Sequence, residues 1–541
     1  MKDFMLDKFK RELFIINDFI AICLLIIMGI FVVHNLENNM DVLLWDEARY
    51  LDRGFWLWKA FPKTWGPIYS VWYKILSYVE SNRIALYYLN YKVLFIASTI
   101  LTFSFMRAYK ASLFVAFFLS SMWLVNTYNL PAWPKISHFS ICIILSAGII
   151  VAFLKNTINK TIVFAIAFLI CGYARPELYL SFIFILLLLF VLSIKNIRTL
   201  NKSNVLYFAL LFFLILLSYK AYRTPLNNED ASRGIGVFLQ HYAYNYYTWT
   251  KQDVIWWFDV QEALDKSFKA PYQLKEIMLN VNSPFWKHIL YNTKLFFSHL
   301  VFIISNLFFP FAHLNKIPFF IGTCLIGLYV FWCFRQSLPL IIERFKTNWL
   351  VFLVLILGIL PSIASSIYAH PRTHYLVLLM PLIFLFLSTV FKESLNSSWK
   401  GLVAFALFFI LTSPKAKDFK YFDLFGTDKN MMNKKAILFL ENKYKTDSVN
   451  VFDIDGQLNT LMTQNFKSYN IGAFISKPDY LLSQFIQTER PNVVYVTPTM
   501  FKLKRSEKDT VFQQMILHPE SFGYQKNSIP GLTDTYFLIS K

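Results

Sequence analysis

The chain has 541 residues, of which 56% are hydrophobic, 19% aromatic and 16% charged. Soluble domains carry about 25% charged residues, so this balance excludes a water-soluble enzyme of this size, and no low-complexity tract points to disorder. The net charge is +20, from 53 Lys and Arg against 33 Asp and Glu. In a soluble protein that would suggest nucleic acid. In so apolar a chain, basic loops set orientation and meet anionic lipid instead, and no nucleic-acid partner is expected.

The N-terminal stretch holds Lys2, Lys8, Lys10 and Arg11, and the apolar run after it lacks a small-residue cleavage site. This reads as a retained first helix with a cytoplasmic start rather than a removed leader. A spanning helix needs about 20 apolar residues, and the first covers Leu13 to Val33. A half-polar stretch, 34–83, follows. Apolar segments then lie near 85–106, 112–130, 136–154, 161–174, 177–194 and 204–222. Basic residues fall at alternate junctions: Arg107 and Lys110, Lys155 and Lys160, then Lys195, Arg198 and Lys202. They mark one side as cytoplasmic and place 34–83, the turn at 126–134 and Arg175 on the other.

A second polar stretch, 223–292, also falls outside, and His241–Asp259 within it reads as an interfacial helix. Segments near 294–312, 318–335, 348–368, 374–391 and 401–412 follow. Two full spans between 294 and 335 would put Arg335 outside, whereas Arg335, Arg344 and Lys346 argue for the cytoplasm. The charges outweigh the count, so one of the two is expected to be re-entrant or interfacial. The fold class expected is a polytopic α-helical membrane protein with about 11–13 spans and juxtamembrane helices in its outer loops. It divides into a membrane domain, 1–413, and a small C-terminal α/β domain, 414–541, outside the membrane. In that domain Val449–Ile454, Val493–Thr497 and Thr535–Ile539 read as strands, and Lys434–Tyr444 and Tyr480–Gln487 as helices.

The five cysteines lie in apolar runs without metal-ligand spacing, so neither a disulfide framework nor a zinc site is expected. The sharpest signal is Trp45-Asp46-Glu47-Ala48-Arg49-Tyr50, just beyond the first span. Acids near a membrane are costly unless used or paired. An ordinary helix start, with both acids at its positive end, also accounts for the pair. Next come Lys63-Thr64-Trp65-Gly66-Pro67-Ile68-Tyr69 and a helix with Trp72, Tyr73 and Lys74.

At these residues the chain resembles the GT-C superfamily of integral-membrane glycosyltransferases, closest to the protein O-mannosyltransferase and aminoarabinose-transferase branch. The matching residues are Asp46, Glu47, Tyr50, Gly66, Pro67 and Tyr69. Two further motifs fit. Tyr173-Ala174-Arg175-Pro176-Glu177 sits where the family often carries a basic residue facing the site. His370-Pro371-Arg372-Thr373-His374-Tyr375 opens a late helix with three potential cations. A proline break paired for solubility, and interface anchoring, are the plainer readings of these two. One departure stands out: many relatives carry an Asp at the outer end of the second hairpin, and here 126–135 holds no acid. A divalent cation is therefore left open.

The resemblance implies transfer of a sugar from a polyprenyl-phosphate donor to an extracytoplasmic glycan, lipid or protein, with inversion, in a bacterial inner or plasma membrane. Asp46 would act as base, with Glu47 as second acid, orienter or cation ligand. Arg372, Arg175 and Arg49, with His370, His374 and Tyr375, would hold the phosphate. Tyr50, Trp65, Gly66, Pro67 and Tyr69 would shape the substrate loop. Trp56, Trp58, Trp65 and Trp72 suit interface anchoring or sugar stacking. Asp453-Ile454-Asp455-Gly456 looks like a nucleotide-sugar motif but is expected to be a strand-end turn. A polymerase or ligase with a diphosphate-linked donor would rest on Arg223 and Arg233 instead. A flippase would need inverted repeats or broken midplane helices, and neither is visible.

Overall fold

A computed structural model describes residues 2–59, 66–130, 132–199, 202–222, 225, 228–252, 259–268, 278, 283–309, 317–335, 338–391, 399–415, 431–445, 448–454, 458–462, 466–469 and 481–541. The described chain is mostly helical. In order come α1 (Lys2–Val32), α2 (Asp46–Phe55), α3 (Pro67–Leu76), α4 (Arg83–Ala108), α5 (Leu113–Leu124), α6 (Ile136–Phe153), α7 (Thr157–Gly172), α8 (Glu177–Lys195) and α9 (Lys202–Tyr222). Then come α10 (Asn228–Thr250), α11 (Val260–Ser267), α12 (Pro284–Phe308), α13 (Ile317–Arg335), α14 (Leu338–Tyr368), α15 (Thr373–Leu376), α16 (Met380–Val390) and α17 (Trp399–Thr412). Among the described residues seven helical stretches are long and apolar enough to cross a membrane: Ile16–Asn38, Arg83–Ala108, Ile136–Phe153, Glu177–Lys195, Lys202–Ala221, Ile341–Tyr368 and Thr373–Val390. Leu113–Leu124, Thr157–Gly172, Ile317–Tyr329 and Trp399–Thr412 are apolar but shorter. Large side chains such as Phe190, Leu206, Phe212 and Leu217 point outward from this bundle, as a surface facing hydrocarbon would.

Side chains at the helix ends give the bundle two distinct ends. At one, Arg107 donates to Asp18 (2.8 Å) and to the Ala111 carbonyl. There Ser112 N–H also donates to Phe391 O (3.2 Å), and Arg344 donates to Thr389 O (2.8 Å). Phe308 packs on Phe391, and Gly327 lies against Phe308. At the other end Asn292 donates to the carbonyls of Ile367 and Ala369, both at 2.9 Å. Helix α12 thus runs away from Ala369 and α14 runs back to it; residues 310–316 and 336–337 lie outside the described set. Arg344 shares its end with Arg107.

The described residues of the 34–83 stretch hold the short helices α2 and α3. The long polar segment after α9 holds α10, which starts earlier than the expected interfacial helix, and α11; residues 253–258 lie outside the described set. The C-terminal domain adds α18 (Met432–Lys443), α19 (Leu482–Glu489), α20 (Thr510–Leu517) and five strands: β1 (Val449–Asp453), β2 (Phe466–Ser468), β3 (Val493–Val496), β4 (Tyr524–Ser528) and β5 (Tyr536–Ser540). The sheet order is β2-β1-β3-β5-β4, parallel through β2, β1 and β3 and antiparallel at β5 and β4. Alternation splits its faces. Val493, Tyr495, Phe537 and Ile539 join the core that continues from the helical bundle. Val494, Val496 and Leu538 face a second core with Leu482 and Phe512. Both faces of the parallel half of this mixed sheet are thus covered, as parallel strands require.

This domain docks on the second end of the bundle. Asp41 accepts the N–H groups of Asn433 (2.8 Å) and Lys434 (2.9 Å) at the start of α18, where carboxylates are favoured. Lys434 donates to Glu37 O, and Arg83 donates to Thr460 O (2.9 Å).

Candidate functional site

The two acids that open α2 take opposite environments, because neighbouring residues on a helix point about 100° apart. Glu47 is fully buried. Its Oε1 accepts from Tyr69 (2.6 Å), Tyr73 (2.5 Å) and Asn90 (2.9 Å), and its Oε2 accepts from the Lys135 backbone N–H (2.6 Å). One carboxylate therefore ties α2, α3, α4 and the start of α6 together. Burial pushes its pKa up, and the two phenols and Lys135 pull it back. The Lys135 ammonium is fully buried too, donating to the carbonyls of Asn129 and Leu130 and lying 5.0 Å from the Tyr91 ring centre. Burial pushes its pKa down to about 7, against the attraction of Glu47.

Asp46 is half-buried. It lies close enough to Arg372 to act on that guanidinium electrostatically, as do Tyr375 and Tyr244; burial pushes the Arg372 pKa down, and these three oppose it. Arg372 Nη2 also donates to His241 Nδ1 (3.4 Å), so α10 closes this side. His370 stacks at 6.1 Å on His241 and edge-on at 4.9 Å on Tyr244. Burial and Arg372 push the His370 pKa down to about 3, and His241 well below its ordinary value. His370 is therefore a neutral group rather than the cation that its sequence context suggested. Its Nδ1 is buried without a hydrogen-bond partner among the described residues.

Arg175 is buried between the motifs. It pairs with Glu177 (2.5 Å), donates to Ser137 (2.8 Å) and lies 4.6 Å from the Tyr375 ring centre. Glu177, Tyr375 and Tyr50 hold its pKa up against burial. The turn before α3 fits under it. Gly66 has φ 61°, and a Cβ there would sit 2.7 Å from Ala174 O and 2.8 Å from Tyr50. Pro67 starts the helix, and Ile68 N–H reaches Tyr173 O (3.4 Å). Tyr69 stands edge-on to Tyr50 at 5.2 Å.

The structure thus brings Asp46, Tyr50, Gly66, Pro67, Tyr69, Arg175, His370, Arg372 and Tyr375 to one end of the bundle. His374 is buried there against Tyr375 (4.4 Å), and Arg49 is half-buried on α2. Trp65 and Arg223 lie outside the described residues, as does the side chain of Arg233. Trp72 donates to Asn90 (2.8 Å), so it is a packing residue; Trp58 is exposed. Asp453 ends β1 and accepts the Leu458 N–H (2.9 Å), while Asp455 and Gly456 of the expected turn lie outside the described residues. Glu47 departs most from expectation: its two oxygens already accept four hydrogen bonds from the surrounding elements. Among the described residues no group of three His, Cys, Asp or Glu could hold a metal.

Sequence reasoning missed Asn90, Lys135, His241 and Tyr244. A lone Asn inside the apolar α4 is a signal that could have found the first. No protein-family model matches the chain, and no curated protein matches it in sequence.

Proposed function

We propose that the chain is a membrane glycosyltransferase that moves a sugar from a polyprenyl-phosphate donor to an acceptor on the non-cytoplasmic side, as a GT-C-type enzyme would. The observation that carries this reading is the meeting of Asp46 with Arg372, from opposite ends of the helical region, beside neutral His370 and Tyr375.

In the reaction, the acceptor hydroxyl oxygen attacks the anomeric carbon. The bond from that carbon to the phosphate oxygen breaks, and its electron pair stays on polyprenyl phosphate. The hydroxyl proton goes to Asp46, the half-buried acid beside Arg372. Displacement in a single step inverts the anomeric centre. Phosphate is already a weak base, so the departing group needs positive charge more than a proton. Arg372 offers a planar fork for its oxygens, and His370 and Tyr375 add neutral donors. A partly desolvated site strengthens these contacts. The basic end of the bundle then faces the cytoplasm, and the C-terminal domain lies outside with the site.

The test is Asp46→Asn in the purified full-length protein, assayed with a labelled polyprenyl-phosphate sugar. Transfer should fall by about 10²-fold or more while donor binding persists. Near-normal turnover would remove Asp46 as the base.

A further inference from the structure

A cleft opens where the two domains meet, well away from Arg372. Its volume is about 380 Å³, and its lining includes Phe55, Ser81, Asn82, Arg83, Glu441 and Leu461. Small-ligand clefts run from roughly 300 to 1,000 Å³ and favour domain interfaces. Arg83 forms the floor. Its guanidinium lies against the Phe55 and Trp56 rings, at 4.9 and 5.5 Å, and one nitrogen donates both to Asp52 (3.2 Å) and to Thr460 O (2.9 Å). The side chain is 9% exposed, so its position is set by packing before any ligand arrives. Burial pushes the Arg83 pKa down, and Asp52 and Glu441, the latter on α18, are close enough to oppose that shift.

This lining selects a chemical class. Arg83 repels a cation, and Glu441 repels an anion. A neutral group with many hydroxyls meets both, because each hydroxyl donates to a carboxylate and accepts from a guanidinium. Phe55 and Leu461 supply apolar wall for the carbon face of such a group.

The cleft and Asp46 are also joined by one element. Asp46 begins α2 and Phe55 ends it, so they are separated by roughly 13 Å along a rigid axis. A chain of a few linked sugars spans that distance.

We propose that this interdomain cleft binds a neutral saccharide unit of the acceptor, so that a unit a few sugars further along the same chain reaches Asp46. The inference rests on the transferase reading, since it takes the ligand to be a substrate. It assigns the C-terminal domain a direct part in acceptor binding through Glu441.

Saturation-transfer NMR on the full-length protein tests it, with the methyl glycosides of glucose, mannose and N-acetylglucosamine, their β-linked disaccharides, and glucose 1-phosphate as probes. Ser81→Trp fills the cleft from an exposed position, and Glu441→Gln removes one charge without changing shape. At least one neutral saccharide should take up saturation from the unaltered protein and from Asp46→Asn. Both cleft variants should bind it roughly tenfold more weakly with unchanged melting temperature. Silence from every saccharide, equal signals with Ser81→Trp, or preference for glucose 1-phosphate would overturn the proposal. If Asp46→Asn keeps transferring sugar while the cleft variants lose saccharide, the reaction centre falls and the binding site stands. The reverse pattern removes the cleft and leaves the reaction centre.

Discussion

Glu47 and Asp46 are chemically near-identical neighbours, yet a helix turn gives them different work. Glu47 is a fastener: removing its carboxylate strands four donors in a buried site. Glu47→Ala should therefore cost about 3–5 kcal/mol, seen as a lowered denaturation midpoint, whereas Asp46→Asn should leave that midpoint in place. Equal losses would mean that the pair acts as one structural unit. His370 gives a second test at this scale. Its folded pKa is pushed down to about 3, against about 6.5 in an unfolded chain. Between those values the unfolded chain holds the proton and the folded one does not, so stability rises with pH across that window and is lost as pH falls through it. His370→Gln should flatten the stability profile between about pH 6.5 and 3; an unchanged slope would assign the acid loss to other groups. The sequence exposed Asp46, Arg175 and Arg372 through their motifs. It hid Lys135 and Asn90, because their role depends on which helices meet, not on their neighbours in the chain.

At the scale of elements, the apolar runs translate closely into helices, since a helix satisfies its own backbone wherever water is scarce. Each of the expected apolar segments from 85–106 to 401–412 overlaps a helix. The boundaries moved where polar residues sit inside a helix, as at α12, which begins at Pro284, ahead of its apolar part. In the C-terminal domain the three apolar strands were legible. Strands β2 and β4 were not: the first has three residues, and Tyr524-Gln-Lys-Asn-Ser carries the polar side chains of a sheet edge. The start of α3 is the most constrained of the short connections. Gly66 has a left-handed backbone and lies hard against Ala174 O and Tyr50. Gly66→Ala should cost about 1–3 kcal/mol from backbone strain, with contact against Ala174 added. It should also weaken transfer, because α3 carries Tyr69 and Tyr73 to Glu47. A thermally neutral Gly66→Ala would show that the turn can relax without disturbing that grip.

For the whole molecule, the meeting of distant motifs at one end of the bundle was readable only as a resemblance. What the sequence could not reveal is how firmly the C-terminal domain is held. Its core runs on into that of the helices, and its polar docking centres on Asp41, which is 3% exposed and accepts from Val42, Asn433 and Lys434. Glu37, Lys92 and Lys434 form a second, partly solvated contact beside it, and such contacts contribute little on their own. Asp41→Ala leaves buried N–H groups unsatisfied, at about 1–3 kcal/mol for each one stranded. The loss falls on the α18 side of the junction, while the spans keep their own packing. Hydrogen exchange should therefore quicken in Met432–Lys443 and around Leu36–Leu44, with α6 and α8 unchanged. Exchange that quickens throughout the bundle would show instead that the domain is part of one cooperative unit, and that the acidic loop holding Asp46 is braced from outside the membrane region.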